Sequence, residues 1–302
     1  MTCRLCYSQN LVDYYRGPIR SGCVGSGEIN GFAVKKCCDC NFVFLDPVPE
    51  GLDLFYESDE YRSRFDYAFD PEAIHNKYAH EQTARLYRIG VEHIRGRSLL
   101  DLGASAGVFI DVVRGYASRT VAVEPFTMYH EYLRSQGHDV FSYPQDAIES
   151  GVKVDIVTCF DVIEHIENPR DFISSAFKLL KPGGVFFLSM PNLDDLLLTI
   201  APNKFKPFFF QVAHLNYFSS GVISLLVEGS GFKINSVDYI HKYGLDNLIR
   251  WVSESSTAPA AISGLFDRTF LDHYKAEVER LGIASHLFIV ATKDKDISPT
   301  SS

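Results

Sequence analysis

Apolar and polar positions switch between two periods over residues 98–293. Residues 98–102 are a short apolar run, as a buried strand is. Phe109, Val112, Val113 and Tyr116 then recur at helical spacing, and 120–123 is a second β-rich run with Glu124 at its end. The rhythm continues. It predicts a helix from Pro125 to Gly137 and strands over 139–143 and 154–160. A helix opened by Asn168 and Pro169 buries Phe172, Ala176, Leu179 and Leu180, and a strand follows over 185–190. Beyond a break at 191–218, a helix starts at Ser219 or Ser220, 232–240 is a strand, 245–281 is mostly helical and 285–293 is a last strand. Upstream, Asp70-Pro71-Glu72 opens a helix that ends at Gly96, with Ala84, Tyr87, Val91 and Ile94 as its buried face. Alternating strands and helices predict an α/β fold with a mostly parallel sheet covered on both faces.

The first strand–helix–strand unit carries the chemistry. Gly103-Ala104-Ser105-Ala106-Gly107 is built from small residues, so the backbone can turn sharply and a ligand can approach it. In open α/β sheets such a turn lies at the carboxyl ends of the strands, where ligands bind. Three readings compete. A dinucleotide site would use Glu124 on a ribose, but Ser105 and Val108 stand where the fingerprint has glycine. A hydrolase elbow has the form G-x-S-x-G, which these five residues match, yet it leaves Asp101 and Glu124 without a task. An S-adenosylmethionine site needs an acid for ribose hydroxyls and a tight loop under the methionine part, and no phosphate-binding group.

Asp101-x-Gly103-x-Ser105-x-Gly107 followed by Glu124 resembles motif I of the class I S-adenosylmethionine-dependent methyltransferases. VDIVTCFDVIEHIENP (154–169) and LLKPGGVFFLSMPN (179–192) resemble the fourth- and fifth-strand motifs of the same superfamily, in order. The resemblance implies a Rossmann-like sheet over 98–293 with an antiparallel last strand and a substrate-covering insertion at about 191–218. It implies cofactor contacts from Asp101, Gly103, Ala104, Ser105, Gly107, Glu124, Pro125, Asp146, Phe160 and Asp161, with Glu124 on the ribose and Asp146 at the adenine. It makes His165 the first candidate base for an acceptor proton, and His214, in a recurring His-x-x-Tyr-Phe feature, the second.

Cys3-x-x-Cys6 and Cys37-x-x-Cys40 are two pairs, each able to offer two thiolates to one tetrahedral zinc ion. A segment as short as 1–50 has little core of its own, which favours structural zinc over free cysteines. Cys23 and Cys38 fit the paired spacing less well, and Cys159 reads as strand packing. A zinc-ribbon-like module ahead of such a core resembles bacterial sugar and natural-product methyltransferases, deoxysugar C-methyltransferases included. Those C-methyltransferases carry a further C-terminal domain for which the chain has little room, so transfer to oxygen or nitrogen is expected.

The 302 residues are 46% hydrophobic and 22% charged, an ordinary globular composition. The net charge of −9 argues against nucleic acid as a partner. The resemblance implies a small-molecule acceptor: a sugar, a nucleotide-linked sugar or a secondary metabolite. A nucleic-acid-directed methyltransferase or binder, reading through the zinc module, is the alternative. Neither a signal-peptide shape nor a membrane-length apolar run is seen, so a cytoplasmic location is expected. Residues 51–97 are expected to form an aromatic and helical lid, with Tyr56 and Tyr61 near the ligand mouth, 245–281 part of a lid or homodimer face, and 294–302 a disordered tail.

Overall fold

The computed structural model describes residues 1–22, 26–49, 70–253 and 266–294. The expectations for Tyr56, Tyr61, Cys23 and the C-terminal tail beyond 294 lie outside the described residues.

The N-terminal strands are β1 (Leu11–Arg16), β2 (Ile19–Arg20), β3 (Glu28–Ile29), β4 (Ala33–Cys37) and β5 (Val43–Asp46). The central strands are β6 (Ser98–Leu102), β7 (Arg119–Val123), β8 (Asp139–Phe141), β9 (Val154–Phe160) and β10 (Leu180–Pro191). Then come β11 (Asn216–Tyr217), β12 (Phe232–Ile240) and β13 (His286–Lys293). The main sheet runs β12-β13-β10-β9-β6-β7-β8. Its strands from β10 to β8 are parallel, and β13 is antiparallel to both β10 and β12. This is the Rossmann-like arrangement, and the chain order reverses between β6 and β9. A crevice opens there at the strands' carboxyl ends. β6 is buried at every position, as a central parallel strand covered on both faces must be.

One helix sits differently from its sequence pattern. The segment after Asp70 is helical over Pro71–Ile89, and Gly90 (φ 87°) stops it, so Val91–Ile94 is a separate turn. Its buried residues are Ile74, Leu86 and Ile89, whereas Tyr87 is 78% exposed. The apolar periodicity misplaced the inward face because that face is partly polar. Tyr78, Gln82 and Arg85 lie along it and line the crevice.

The N-terminal strands do not form an isolated module. Their sheet, β1-β4-β5-β11, is completed by β11 from the 191–218 insertion, with Asn216 opposite Phe44 and Tyr217 opposite Val43. Cys3, Leu5, Cys37, Phe42 and Phe44 belong to the same buried cluster as Leu100, Cys159 and Phe218. On the other face Ile19, Val34 and Leu45 pack with Leu197, Phe205, Phe210 and Trp251. The insertion's phenylalanines are therefore largely core. Among the described residues no helix is long and apolar enough to cross a membrane.

Candidate functional site

A cavity of about 670 Å³ occupies the crevice. Of the sequence-derived residues, Asp101, Gly103, Ala104, Ser105, Glu124, Pro125, Phe160, Asp161 and His165 line it. Three do not. Gly107 (φ 83°) stands behind the loop and opens the helix Val108–Arg114. Asp146 serves as a helix cap, its Oδ2 accepting from Tyr143 N at 2.9 Å at the start of Pro144–Glu149, while the adjacent Tyr143, Pro144 and Gln145 line the cavity. His214 lies behind His165, the two rings edge to face at 4.8 Å.

The loop is shaped by backbone strain. Gly103 has φ 80°, and a Cβ built there would lie 2.4 Å from Val162 Cγ2. Ser105 has φ 51°, an uncommon value for a residue with a side chain. Its N–H donates to Glu124 Oε2 at 2.7 Å, and Phe126 N donates to Oε1 at 3.0 Å. Glu124 is only 2% exposed, so its orientation is set before any ligand arrives. Gly103→Ala is expected to cost about 1–3 kcal/mol in urea unfolding, through the positive φ and the Val162 contact. Val162→Ala in the same chain should return only the part due to contact.

Charge in the cavity is lopsided. Among the described residues, Glu81, Asp101, Glu124, Asp161, Glu167 and Asp171 line it against one arginine, Arg85. Asp101 is buried and accepts from Thr158 Oγ1 at 2.6 Å; burial, helped by the Glu124 charge, pushes its carboxyl up to about 7. Burial acts the same way on Asp161, but Lys242 and Arg85 outweigh it and hold that carboxyl far below its usual range. Arg85 Nη2 reaches Asp161 Oδ2 at 2.5 Å and Glu81 at 3.2 Å, and Lys242 Nζ reaches Glu81 at 2.7 Å. Arg85 also lies 4.8 Å over the Phe160 ring. Sequence reading missed Arg85 and Lys242 because they come from elements 76 and 81 residues away from Asp161. A wall of carboxylates suits a cationic ligand and repels a pyrophosphate, which bears on the dinucleotide reading.

His165 ends a short 3-10 turn, Ile163–His165. Its Nδ1 lies 2.7 Å from Ala213 O, which places the proton on Nδ1 and the lone pair on Nε2. Burial and the neighbouring His165 push His214 well below the usual imidazole range, so it is neutral near pH 7.

In the N-terminal segment, Cys3 Sγ is 3.5 Å from Cys40 Sγ and Cys6 Sγ is 3.5 Å from Cys37 Sγ. All four sulfurs lie within 4.8 Å of one another. Four thiolates at Zn–S of about 2.3 Å stand roughly 3.8 Å apart, so the set fits a tetrahedral ion. Each pair forms the same knuckle: Tyr7 N donates to Cys3 O and Asn41 N to Cys37 O, both at 2.9 Å, with φ 60° at Tyr7 and 61° at Asn41. Cys38 is exposed and outside the cluster, and Cys159 is buried in β9.

With this geometry in place, comparison with known proteins decides the family. Residues 74–237 match the model of the methyltransferase domain family, over more than half of the chain. The chain belongs to that family. It is 28% identical over 163 residues to a protein of Mycolicibacterium smegmatis named as a probable S-adenosylmethionine-dependent methyltransferase. That match covers 51% of this chain and 59% of the relative's length. It is 24% identical over 189 residues to the ubiquinone biosynthesis O-methyltransferase of Proteus mirabilis, covering 60% of this chain and 69% of that one. Among solved structures, a chain in the complex of the Haloferax volcanii Trm112 methyltransferase activator with a methyltransferase superposes with a TM-score of 0.52. At 15% identity, over 82% of this chain and 99% of the other, that likeness concerns the fold.

Proposed function

We propose that this methyltransferase-domain protein transfers a methyl group from S-adenosylmethionine to an oxygen or nitrogen of a small-molecule acceptor. A sugar, a nucleotide-linked sugar or a secondary metabolite is the acceptor class. The observation that carries the reading is the pre-set Glu124 carboxylate facing a carboxylate-walled cavity. Such a cavity accepts a ribose and a positive charge, and the glycine loop beneath it leaves room for close backbone approach. Bound there, the cofactor supplies an electrophilic methyl on a sulfonium. Glu124 would hold the ribose hydroxyls, while Asp101 and Asp161 would favour the cation. Phe160 and Val162 would fix the apolar flank and hold donor and acceptor in line. His165, on the cavity wall, would take the acceptor's proton. Relatives named as O-methyltransferases support oxygen as the acceptor atom. The four cysteines would hold one structural zinc ion.

Glu124→Gln tests the cofactor half. Losing a charged acceptor from two hydroxyl contacts is expected to weaken S-adenosylmethionine about 10- to 100-fold by calorimetry. Unchanged affinity in a normally folded variant would sink the ribose assignment. The acceptor half is tested by a turnover screen that starts with nucleotide sugars.

A further inference from the structure

Among the described residues, Glu164 is the one buried carboxylate near the cavity that the methyl-transfer reading does not use. It is 2% exposed, and its Oε2 has no hydrogen-bond partner. An orphaned buried carboxylate is costly, and native proteins keep such a group where something compensates it. Its neighbours are two imidazoles. One carboxylate oxygen of Glu164, one ring nitrogen of His165 and one of His214 lie within 4.8 Å of one another.

The hydrogen bonds around the three side chains are compatible with metal ligation. Metal-bound histidines hand their other ring N–H to a carbonyl or similar acceptor, which fixes the tautomer. His165 Nδ1 does so with Ala213 O at 2.7 Å. His214 Nε2 is 2.7 Å from the Gln211 side-chain amide. Rotating that amide by half a turn lets Oε1 accept from Nε2–H and leaves the Nδ1 lone pair for an ion. The backbone holds both histidine segments together: Leu215 N donates to Glu164 O at 2.7 Å, and Asn216 Nδ2 bridges Ile163 O and Ile166 O.

We infer that Glu164, His165 and His214 form a second metal centre, which binds one divalent first-row transition ion beside the acceptor end of the cavity. Two imidazoles and a carboxylate suit manganese, iron(II) or zinc, and three protein ligands leave positions open for substrate. His165 lines the cavity, so the open positions are reachable by an acceptor. The role of the ion rests on the methyl-transfer reading; the site does not. A bound cation would lower the pKa of an acceptor hydroxyl so that its proton could pass to water, and the oxygen would form its bond to the methyl carbon as the methyl–sulfur bond broke, leaving a neutral thioether. In that arrangement His165 would be a ligand, and water would take over the base role proposed for it above.

The test is a titration of the purified protein with Mn²⁺, followed by loss of the free-ion paramagnetic resonance signal. Manganese favours hard donors and leaves a four-thiolate site alone. Wild type is expected to bind one equivalent, and Glu164→Gln and His214→Gln at least about tenfold more weakly. Mn²⁺ should raise the wild-type melting midpoint and leave that of Glu164→Gln unmoved, which also shows that the variant is folded. No binding by wild type, or equal binding by wild type and Glu164→Gln, overturns the site. Calorimetry with S-adenosylmethionine on the same samples separates the two ideas. Cation binding without cofactor binding would end the methyl-transfer reading and keep the site, and the converse would do the reverse.

Discussion

Cys37→Ser is expected to abolish the zinc binding proposed for the N-terminal cysteines and to loosen the 191–218 insertion with it. A structural zinc ion contributes roughly 10–16 kcal/mol in isolated small modules. Here the loss would spread, because Cys37 and Cys3 are fully buried beside Phe42 and Phe44. Phe42 packs on Phe218 with ring centroids 5.5 Å apart, and β5 carries β11. Leu45 N donates to Leu215 O, the residue next to His214, and Arg170 on the helix Pro169–Leu179 donates to Leu5 O at 2.7 Å. A melting midpoint lower by at least about 10 °C is expected, together with one fewer zinc ion by native mass spectrometry. Cys38→Ser, exposed and outside the cluster, is the control and should match wild type in both. If Cys37→Ser also matched wild type, the four cysteines would have no metal role and the coupling would be packing alone.

The parts of the fold that could be read from sequence are those governed by local rules. β9 and β12 fall where the β-rich runs end, because each is bounded by turn residues and carries its own periodicity. The Asn168 and Asp70 caps were legible because a short polar side chain followed by proline has a specific use at a helix start. What was not legible is long-range. Nothing local marks Asn216–Tyr217 as the fourth strand of a sheet begun about 200 residues earlier. The helix Pro71–Ile89 turns charged and amide side chains inward, so apolar periodicity pointed to Tyr87, which faces solvent. In the candidate site, small residues and a terminal acid suffice to mark the loop and Glu124. Asp146 was marked by position, and its use as a helix cap was not, because that depends on the backbone of Tyr143. The Glu164–His165 pair was visible as letters. Its meeting with His214 was not, because their approach depends on the Leu215–Glu164 hydrogen bond across the insertion.

Asp101 is expected to make folding stability and cofactor affinity respond to pH in opposite directions. Its carboxyl titrates at about 7 in the folded protein and near 3.8 when exposed, because burial opposes its charge. Between those values the folded chain holds a proton that the unfolded chain has released. Stability therefore falls as pH rises from about 4 to 7 and is flat above, a loss of roughly 4 kcal/mol from this one group. Asp101→Asn keeps an acceptor for Thr158 and removes the titration. It should match wild type near pH 4 and be several kcal/mol more stable at pH 8 in urea unfolding without cofactor. A bound sulfonium inverts the preference by stabilising the ionised carboxylate. Wild-type affinity for S-adenosylmethionine should then rise between pH 5.5 and 7.5, with a proton released on binding. S-adenosylhomocysteine, which lacks the charge, should show a weaker dependence, and Asp101→Asn should flatten the ratio of the two affinities. A wild-type ratio that stays constant across this range would mean that Asp101 does not sense the sulfonium. The acid would then be held at the end of β6 for a structural reason, and the cavity's preference for a cation would rest on its other carboxylates, Glu124, Asp161, Glu167 and Asp171 among them.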